Sequence, residues 1–286
     1  MGLNKNEGKN GNYPSMINDK DTIFHYTRIS VAIEHILFEK RLRFSSGLNT
    51  NDPREYGNWA LEPHLEGSRY SGKEFFQEWS EAENRLKQVI PMYKFACFCA
   101  NDSTEQETNL DILEDQTKRS GYDRLRMWAQ YGENFYGVCI AFSAGSLQKR
   151  LHEQLGEKAI IHAKRIHYDK DLELNDRSLS DHDASYYMGK DKEEWAKRFI
   201  RDHVKQIFLT KHLDYRDENE YRIVVHDPNN DFEYLDITDC VRAVLLGDRF
   251  KEVYHGVVKD LCGQHNVGCK RLEWKCGRLQ LKDVEF

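Results

Sequence analysis

The chain has 286 residues and a net charge of −6, with 39% hydrophobic and 31% charged residues. That is enough chain for one substantial core, and the acidic balance excludes a protein that coats nucleic acid through overall charge, though not one with a local basic groove. No apolar run reaches the ~18 residues of a membrane span.

The opening Met1-Gly2-Leu3-Asn4-Lys5-Asn6 lacks the apolar core of a signal peptide and the Ser or Thr of a myristoylation signal. The seven cysteines are an odd number, read as reduced thiols in a cytoplasmic protein with no membrane contact. Residues 1–20, rich in Asn, Lys and Gly, read as a loose arm. Thr22–Thr27 reads as a strand, and Ser30 as the N-cap of a helix carrying Ile33, Ile36 and Leu37. Arg41–Ser45 is a second strand, and Asn49-Thr50-Asn51-Asp52-Pro53 a turn. The spacing predicts a helix over 73–90 with Phe76, Trp79 and Leu86 on one side, then a buried strand from Lys94 to Cys99. Residues 101–120 read as a surface insertion. A helix over 123–131 carries Met127 and Trp128, Gly132-Glu133-Asn134 turns the chain, and Phe135–Phe142 is the clearest buried strand. Ser143 is expected to cap a helix near 145–155. A strand near 160–168 follows, then a polar loop over 169–190. An amphipathic helix over 191–210 has Trp195, Phe199, Val204, Ile207 and Phe208 on one face. A strand over 240–246 ends at Gly247, followed by a helix over 250–261 and strands near 267–274 and 278–284. With no repeat and no linker, residues 21–286 read as one α+β domain with insertions near 60–92, 101–120 and 169–210.

The functional reading centres on Tyr215-Arg216-Asp217-Glu218-Asn219-Glu220-Tyr221-Arg222-Ile223-Val224-Val225. Its second half is a strand by its aromatic and β-branched residues. Alternation puts Glu218, Glu220 and Arg222 on one face and Tyr221 and Ile223 on the other. The bland reading is a solvated face on which Arg222 merely neutralises two carboxylates. Against it, two like charges on one side repel unless a cation sits between or beside them. They also stand where a buried strand emerges, a rigid place for a site.

Four local patterns stand together: His25-Tyr26-Thr27, Asn51-Asp52-Pro53-Arg54-Glu55, Met127-Trp128-Ala129-Gln130-Tyr131-Gly132 with Gly137-Val138-Cys139-Ile140, and Glu218-Asn219-Glu220-Tyr221-Arg222. Leu246-Gly247 is a weaker fifth. In this order they resemble a bacterial domain-of-unknown-function family associated with abortive infection and phage defence. That family in turn resembles, remotely, the ADP-ribosyltransferases. The resemblance implies a mixed, antiparallel split sheet with surrounding helices, NAD as substrate, and a toxin or anti-phage effector. Its partners would be a protein or nucleic-acid acceptor and an antitoxin or phage trigger. It makes Glu220 the catalytic carboxylate and Glu218 the group that orients or deprotonates the acceptor. His25, with Tyr26 and Thr27, would hold the adenosine ribose, and the two ends of the site, His25 and Glu220, would meet in one cleft. Tyr131 or Tyr136 would cover the nicotinamide, and Arg222, Arg54 or Arg28 the pyrophosphate, with Asn51 beside them. The chain departs from the transferase pattern in having no Ser-Thr-Ser signature before the central strand.

The chemistry suits those residues. Breaking the nicotinamide–ribose bond builds positive charge on the ribose, and a nearby carboxylate stabilises it. Each residue also has a plain structural reading: His25 bonding a backbone group, Tyr131 and Trp128 packing at i and i+3, Asn51-Asp52-Pro53 making a turn. An NAD glycohydrolase and a non-catalytic sensor of nucleotide or phage protein are the alternatives. Cys262, His265, Cys269 and Cys276 lack a compact zinc spacing, and the histidines offer no His-Glu-x-x-His pair, so no metal is expected. Gly-rich phosphate loops and a Gly-x-Ser-x-Gly elbow are likewise missing from the sequence.

Overall fold

The computed structural model describes residues 16–47, 50, 73–102, 119–156, 161–169, 191–227, 232–284 and 286. Asn51, Arg54, the turn they belong to, and most of the 101–120 insertion lie outside them. The fold is α+β. In chain order the strands and helices are β1 (Thr22–Thr27), β2 (Arg41–Ser46), α1 (Lys73–Val89), β3 (Tyr93–Ala100), α2 (Leu125–Gln130), β4 (Val138–Ser143), α3 (Ala144–Leu155), β5 (Ile161–Arg165) and β6 (His167–Asp169). They continue with α4 (Lys192–Asp202), α5 (Val204–Phe208), β7 (Thr210–His212), β8 (Glu220–His226), β9 (Phe232–Asp236), β10 (Val241–Leu246), α6 (His255–His265), β11 (Gly268–Lys275) and β12 (Arg278–Asp283). They pack as two compact units that interleave in sequence: residues 1–42, 98–150 and 236–286 in the first, 43–97 and 151–235 in the second.

In the first unit β1 pairs antiparallel with β4 along its whole length, from Thr22 opposite Ser143 to Thr27 opposite Val138. The end of β3 flanks β1 on the other side, Phe24 opposite Cys99. Beyond β4 lie β10, antiparallel, then β11, parallel to β10, then β12, antiparallel. The sheet is therefore mixed and mostly antiparallel. Side-chain alternation sends Phe24 and Tyr26 into a core with Met127, Trp128, Cys139, Ala141, Leu245 and Leu272. Ser143 meets its expected role: its Oγ accepts from the Ser146 amide at 3.0 Å at the start of α3. Ser30 does not cap. Its backbone is already helical, at φ −59° and ψ −45°, its side chain makes no capping bond, and Val31–Leu37 winds as a π-helical segment.

In the second unit β8 pairs with β3 and, antiparallel, with β5, and β2 pairs antiparallel with β3. Helices α1 and α4 supply much of its core: Phe75, Ala82 and Leu86 from one, Trp195, Phe199 and Ile200 from the other, against Tyr93, Phe95 and Val224. Phe75 rather than Phe76 is the buried aromatic of α1, and Phe76 is exposed. The predicted single helix over 191–210 is broken. Asp191 caps α4 through a 2.9 Å bond from the Glu194 amide, and His203, at φ −116°, separates α4 from α5. The imidazole of His203 stacks on Phe199 with Nδ1 2.8 Å from its carbonyl oxygen. A separate two-stranded parallel ribbon, β6 with β7, sets Tyr168 opposite Lys211. Among the described residues no helix is long and apolar enough to cross a membrane.

Candidate functional site

The charged face of β8 begins at Glu220 rather than at Glu218. Residues Leu213–Glu218 form a 3-10 turn that ends on Asn219, held left-handed at φ 42° and ψ 50°. Asn tolerates that conformation better than most residues, and its side chain is anchored by Arg165 Nη1 at 3.0 Å. Glu218 therefore reaches the Glu220 side by a turn, which corrects the expectation that strand alternation alone places it there.

The face is not solvated either. Glu218 and Glu220 are 3% exposed and Arg222 1%. The reason is charge pairing. Lys211, from β7, sets its Nζ 3.0 Å from Glu218 Oε2 and 2.7 Å from Glu220 Oε2. Arg222 Nε lies 2.7 Å from Glu220 Oε1. Two carboxylates and two cations leave a locally neutral cluster, the condition under which charges survive desolvation. Arg222 is fixed further by an Nη1 bond to the Phe208 carbonyl at 2.7 Å and by a guanidinium 4.2 Å from the centre of the Phe95 ring. The Glu220 amide donates to the Tyr168 hydroxyl at 2.8 Å, and its carbonyl accepts from the Ile166 amide at 2.9 Å. Cys97 is near enough to the Glu220 carboxyl to favour its charged form, the smallest of the influences on it. Lys211, Tyr168 and Cys97 are the members of the cluster that the sequence did not single out, although the repulsion between Glu218 and Glu220 called for a cation beside them.

Burial pushes the Glu220 carboxyl up, but the Arg222 and Lys211 charges and the Arg222 hydrogen bond outweigh it and hold the group at about 2. Burial and the neighbouring Glu220 charge push the Tyr168 hydroxyl upward. A depressed carboxyl stabilises the fold above its unfolded value, and that contribution disappears as pH falls through the folded value. The melting temperature should therefore be flat in this contribution near neutrality and fall between about pH 4.5 and about 2. Glu220→Gln should shallow that acid limb. Thermal melts of both proteins across this range test it, and superimposable limbs would refute the pairing.

Asn51 and Arg54 lie outside the described residues, and the remaining expected site residues lie in the first unit. His25 and Thr27 point to the face of β1 opposite the core that holds Phe24 and Tyr26. The His25 ring meets Phe98 edge-on at 5.7 Å. Tyr26 is buried, bonds the Gly121 carbonyl at 2.7 Å and sits edge-on to Trp128, so its ring is a core group. Tyr131 packs partly against the same core, while Tyr136 is exposed. Tyr136 follows a turn in which Glu133, Asn134 and Phe135 all have positive φ, at 52°, 51° and 70°. Left-handed backbone costs about 1–2 kcal/mol per non-glycine residue, and such strain persists only where the surroundings over-determine it. Here Glu133 Oε2 accepts from the Ile29 amide at 3.1 Å and the Phe135 carbonyl from the Arg249 amide at 3.0 Å. The Gly137 amide bonds the Gly132 carbonyl at 2.9 Å, and its carbonyl accepts from Gly247 at 3.0 Å. The turn thus brings Gly137, the residue after Tyr136, against the Thr27 carbonyl.

The structure accordingly groups Glu218, Glu220 and Arg222 in one unit, and His25, Tyr26, Thr27, Tyr131 and Tyr136 in the other. Among the described residues no three His, Cys, Asp or Glu side chains converge as a metal-ligand set. His265 instead holds the Leu37 carbonyl at 2.8 Å.

A family model described as "Protein of unknown function (DUF2971)" matches residues 127–223. The matched stretch runs from Met127 through Tyr131-Gly132 to the Glu218–Arg222 cluster, and leaves His25–Thr27 and Asn51–Glu55 outside. No curated protein and no solved structure matches the chain.

Proposed function

We propose that the chain is an NAD-dependent ADP-ribosyltransferase with an ADP-ribosyltransferase-like sheet, a cytoplasmic toxin or anti-phage effector that moves ADP-ribose onto a protein or nucleic acid. The observation that supports it is the Glu220 carboxylate, fixed at the first residue of a strand by its own amide and carbonyl and by Arg222. Transfer breaks the bond between ribose C1′ and the nicotinamide nitrogen. Nicotinamide leaves with the bonding pair, and an acceptor oxygen or nitrogen bonds to C1′ and gives up its proton. Positive charge develops on the ribose between these events, and a preorganised carboxylate stabilises it without reorganising. Glu218 would orient the acceptor or take its proton. The resemblance assigns adenosine-ribose contacts to His25 and a nicotinamide cover to Tyr131 or Tyr136.

One observation favours a second reading. Both Glu220 oxygens already face cations, and the group is almost fully buried, as in a structural cluster of a binding module without turnover. Labelled NAD and a bacterial lysate separate the two. Wild type should place label in protein or nucleic acid, and Glu220→Gln should lose at least ~100-fold of that activity, the scale of removing one preorganised electrostatic group, while keeping its circular dichroism. Free ADP-ribose without labelled macromolecule would make the protein a glycohydrolase. No NAD consumption by either, even in phage-infected lysate, would leave the binding module.

A further inference from the structure

We propose that Lys211 is an internal plug that holds the Glu220 site inactive, its ammonium standing where positive charge would develop on the substrate ribose; this rests on the role given to Glu220 above. The Nζ atom lies 2.7 Å from Glu220 Oε2 and 3.0 Å from Glu218 Oε2. Arg222 faces the other oxygen of Glu220. A carboxylate stabilises an oxocarbenium-like centre only from close contact. An ammonium in that position uses up the negative charge and repels an incoming cation.

The two cations are held very differently. Arg222 stands on β8, which is paired on both sides, and its guanidinium is bonded to Phe208 and lies over Phe95. Lys211 stands on a three-residue strand whose sheet contains, among the described residues, one other strand, β6. An element with so few ladder bonds opens at lower cost than a central strand. The Tyr215 ring, its centre 5.1 Å from Lys211 Nζ, already lies beside the same ammonium and is a contact it can keep as it leaves the carboxylates. With Lys211 withdrawn, Glu218 and Glu220 face Arg222 alone. The net negative charge then suits the cationic nicotinamide–ribose end of NAD. Withdrawal of Lys211 is thus the activating step, and Arg222 keeps Glu220 in place throughout.

The test reads nicotinamide release from NAD in water. Water oxygen bonds to C1′ as the bond to nicotinamide breaks, nicotinamide leaves with the electron pair, and the proton passes to solvent. Lys211→Met alone leaves two buried carboxylates with one cation and can fail to fold. Lys211→Met with Glu218→Gln removes one charge of each sign and keeps the Glu220–Arg222 pair. Folding of each variant is checked by circular dichroism and a cooperative melt. The folded double variant should release nicotinamide at least tenfold faster than Glu218→Gln alone, which shares its lost carboxylate, and adding Glu220→Gln should return the rate to background. A folded double variant no faster than a measurably active Glu218→Gln protein would overturn the plug and leave the proposed activity standing. Silence from wild type and the double variant alike would overturn the proposed activity, and the plug with it.

Discussion

Replacing Arg222 with methionine should lower the unfolding free energy by about 3–5 kcal/mol, the cost of removing one partner from a buried ion pair. Methionine replaces much of the volume but none of the three interactions. Glu220 Oε1 loses its 2.7 Å partner, the Phe208 carbonyl loses a donor, and the Phe95 ring loses the cation above it. Lys211 is left to neutralise both Glu218 and Glu220 in a place with almost no solvent. A buried carbonyl without its donor adds to the cost. Arg222→Lys should recover only part of the loss, because one ammonium cannot reach Glu220 and Phe208 with the geometry of a planar fork. Arg222→Met combined with Glu220→Gln should be less destabilising than Arg222→Met alone, since the orphaned charge is gone. Denaturant unfolding of the four proteins measures this. A loss below about 1 kcal/mol for Arg222→Met would mean that the pair behaves as a screened surface pair, and the cluster would then not be the anchor of β8.

The parts of this fold that the sequence announces are those governed by short-range pattern. β1 and β10 are apolar runs ended by polar or glycine residues, and their bounds fall close to the expected ones, whereas β4 starts at Val138 rather than Phe135 because Glu133–Phe135 wind into a turn of positive φ. The cap at Ser143 was legible for the same reason. Helix phase was less so. Phe75 and Phe76 are neighbours about 100° apart on α1, and which of them faces α4 is decided by the partner helix rather than by their own spacing. The break at His203 carried no glycine or proline. It comes from an imidazole that folds back onto Phe199. Ser30 looked like a cap because Ile33, Ile36 and Leu37 suggest an ordinary helix, whereas the observed turn is π-helical and already includes Ser30 in its backbone geometry.

The candidate site divides along the same line. That Glu218 and Glu220 needed a cation followed from electrostatics, and Arg222 was near enough in sequence to name. Lys211 was not, because its position depends on β7 pairing with β6, whose residues 167–169 are far away in the chain. Tyr168 arrives by that same pairing. Such contacts are set by tertiary topology, and a local pattern gives them no mark.

The other large effect expected is in the first unit, at Gly247. A Cβ there would overlap the Phe135 carbonyl oxygen and stand 2.6 Å from its carbon, both of them backbone atoms that cannot rotate away. That carbonyl is also fixed by the Arg249 amide. Gly247→Ala should therefore destabilise by about 3 kcal/mol, the upper end of the usual overpacking range, because relief requires moving a turn already strained through Glu133, Asn134 and Phe135. Gly263→Ala is the matching control. It lies within α6 with nothing inside 4 Å of the added carbon, so it should stabilise by about 0.5–1 kcal/mol through the difference in helix propensity. Opposite signs for the same chemical change would locate the constraint in the left-handed turn rather than in glycine as such. If Gly247→Ala melted with wild type, the Phe135 carbonyl would be free to shift. The positive φ values of residues 133–135 would then be a soft feature, and Tyr136 would not be held in a fixed place at the end of β1.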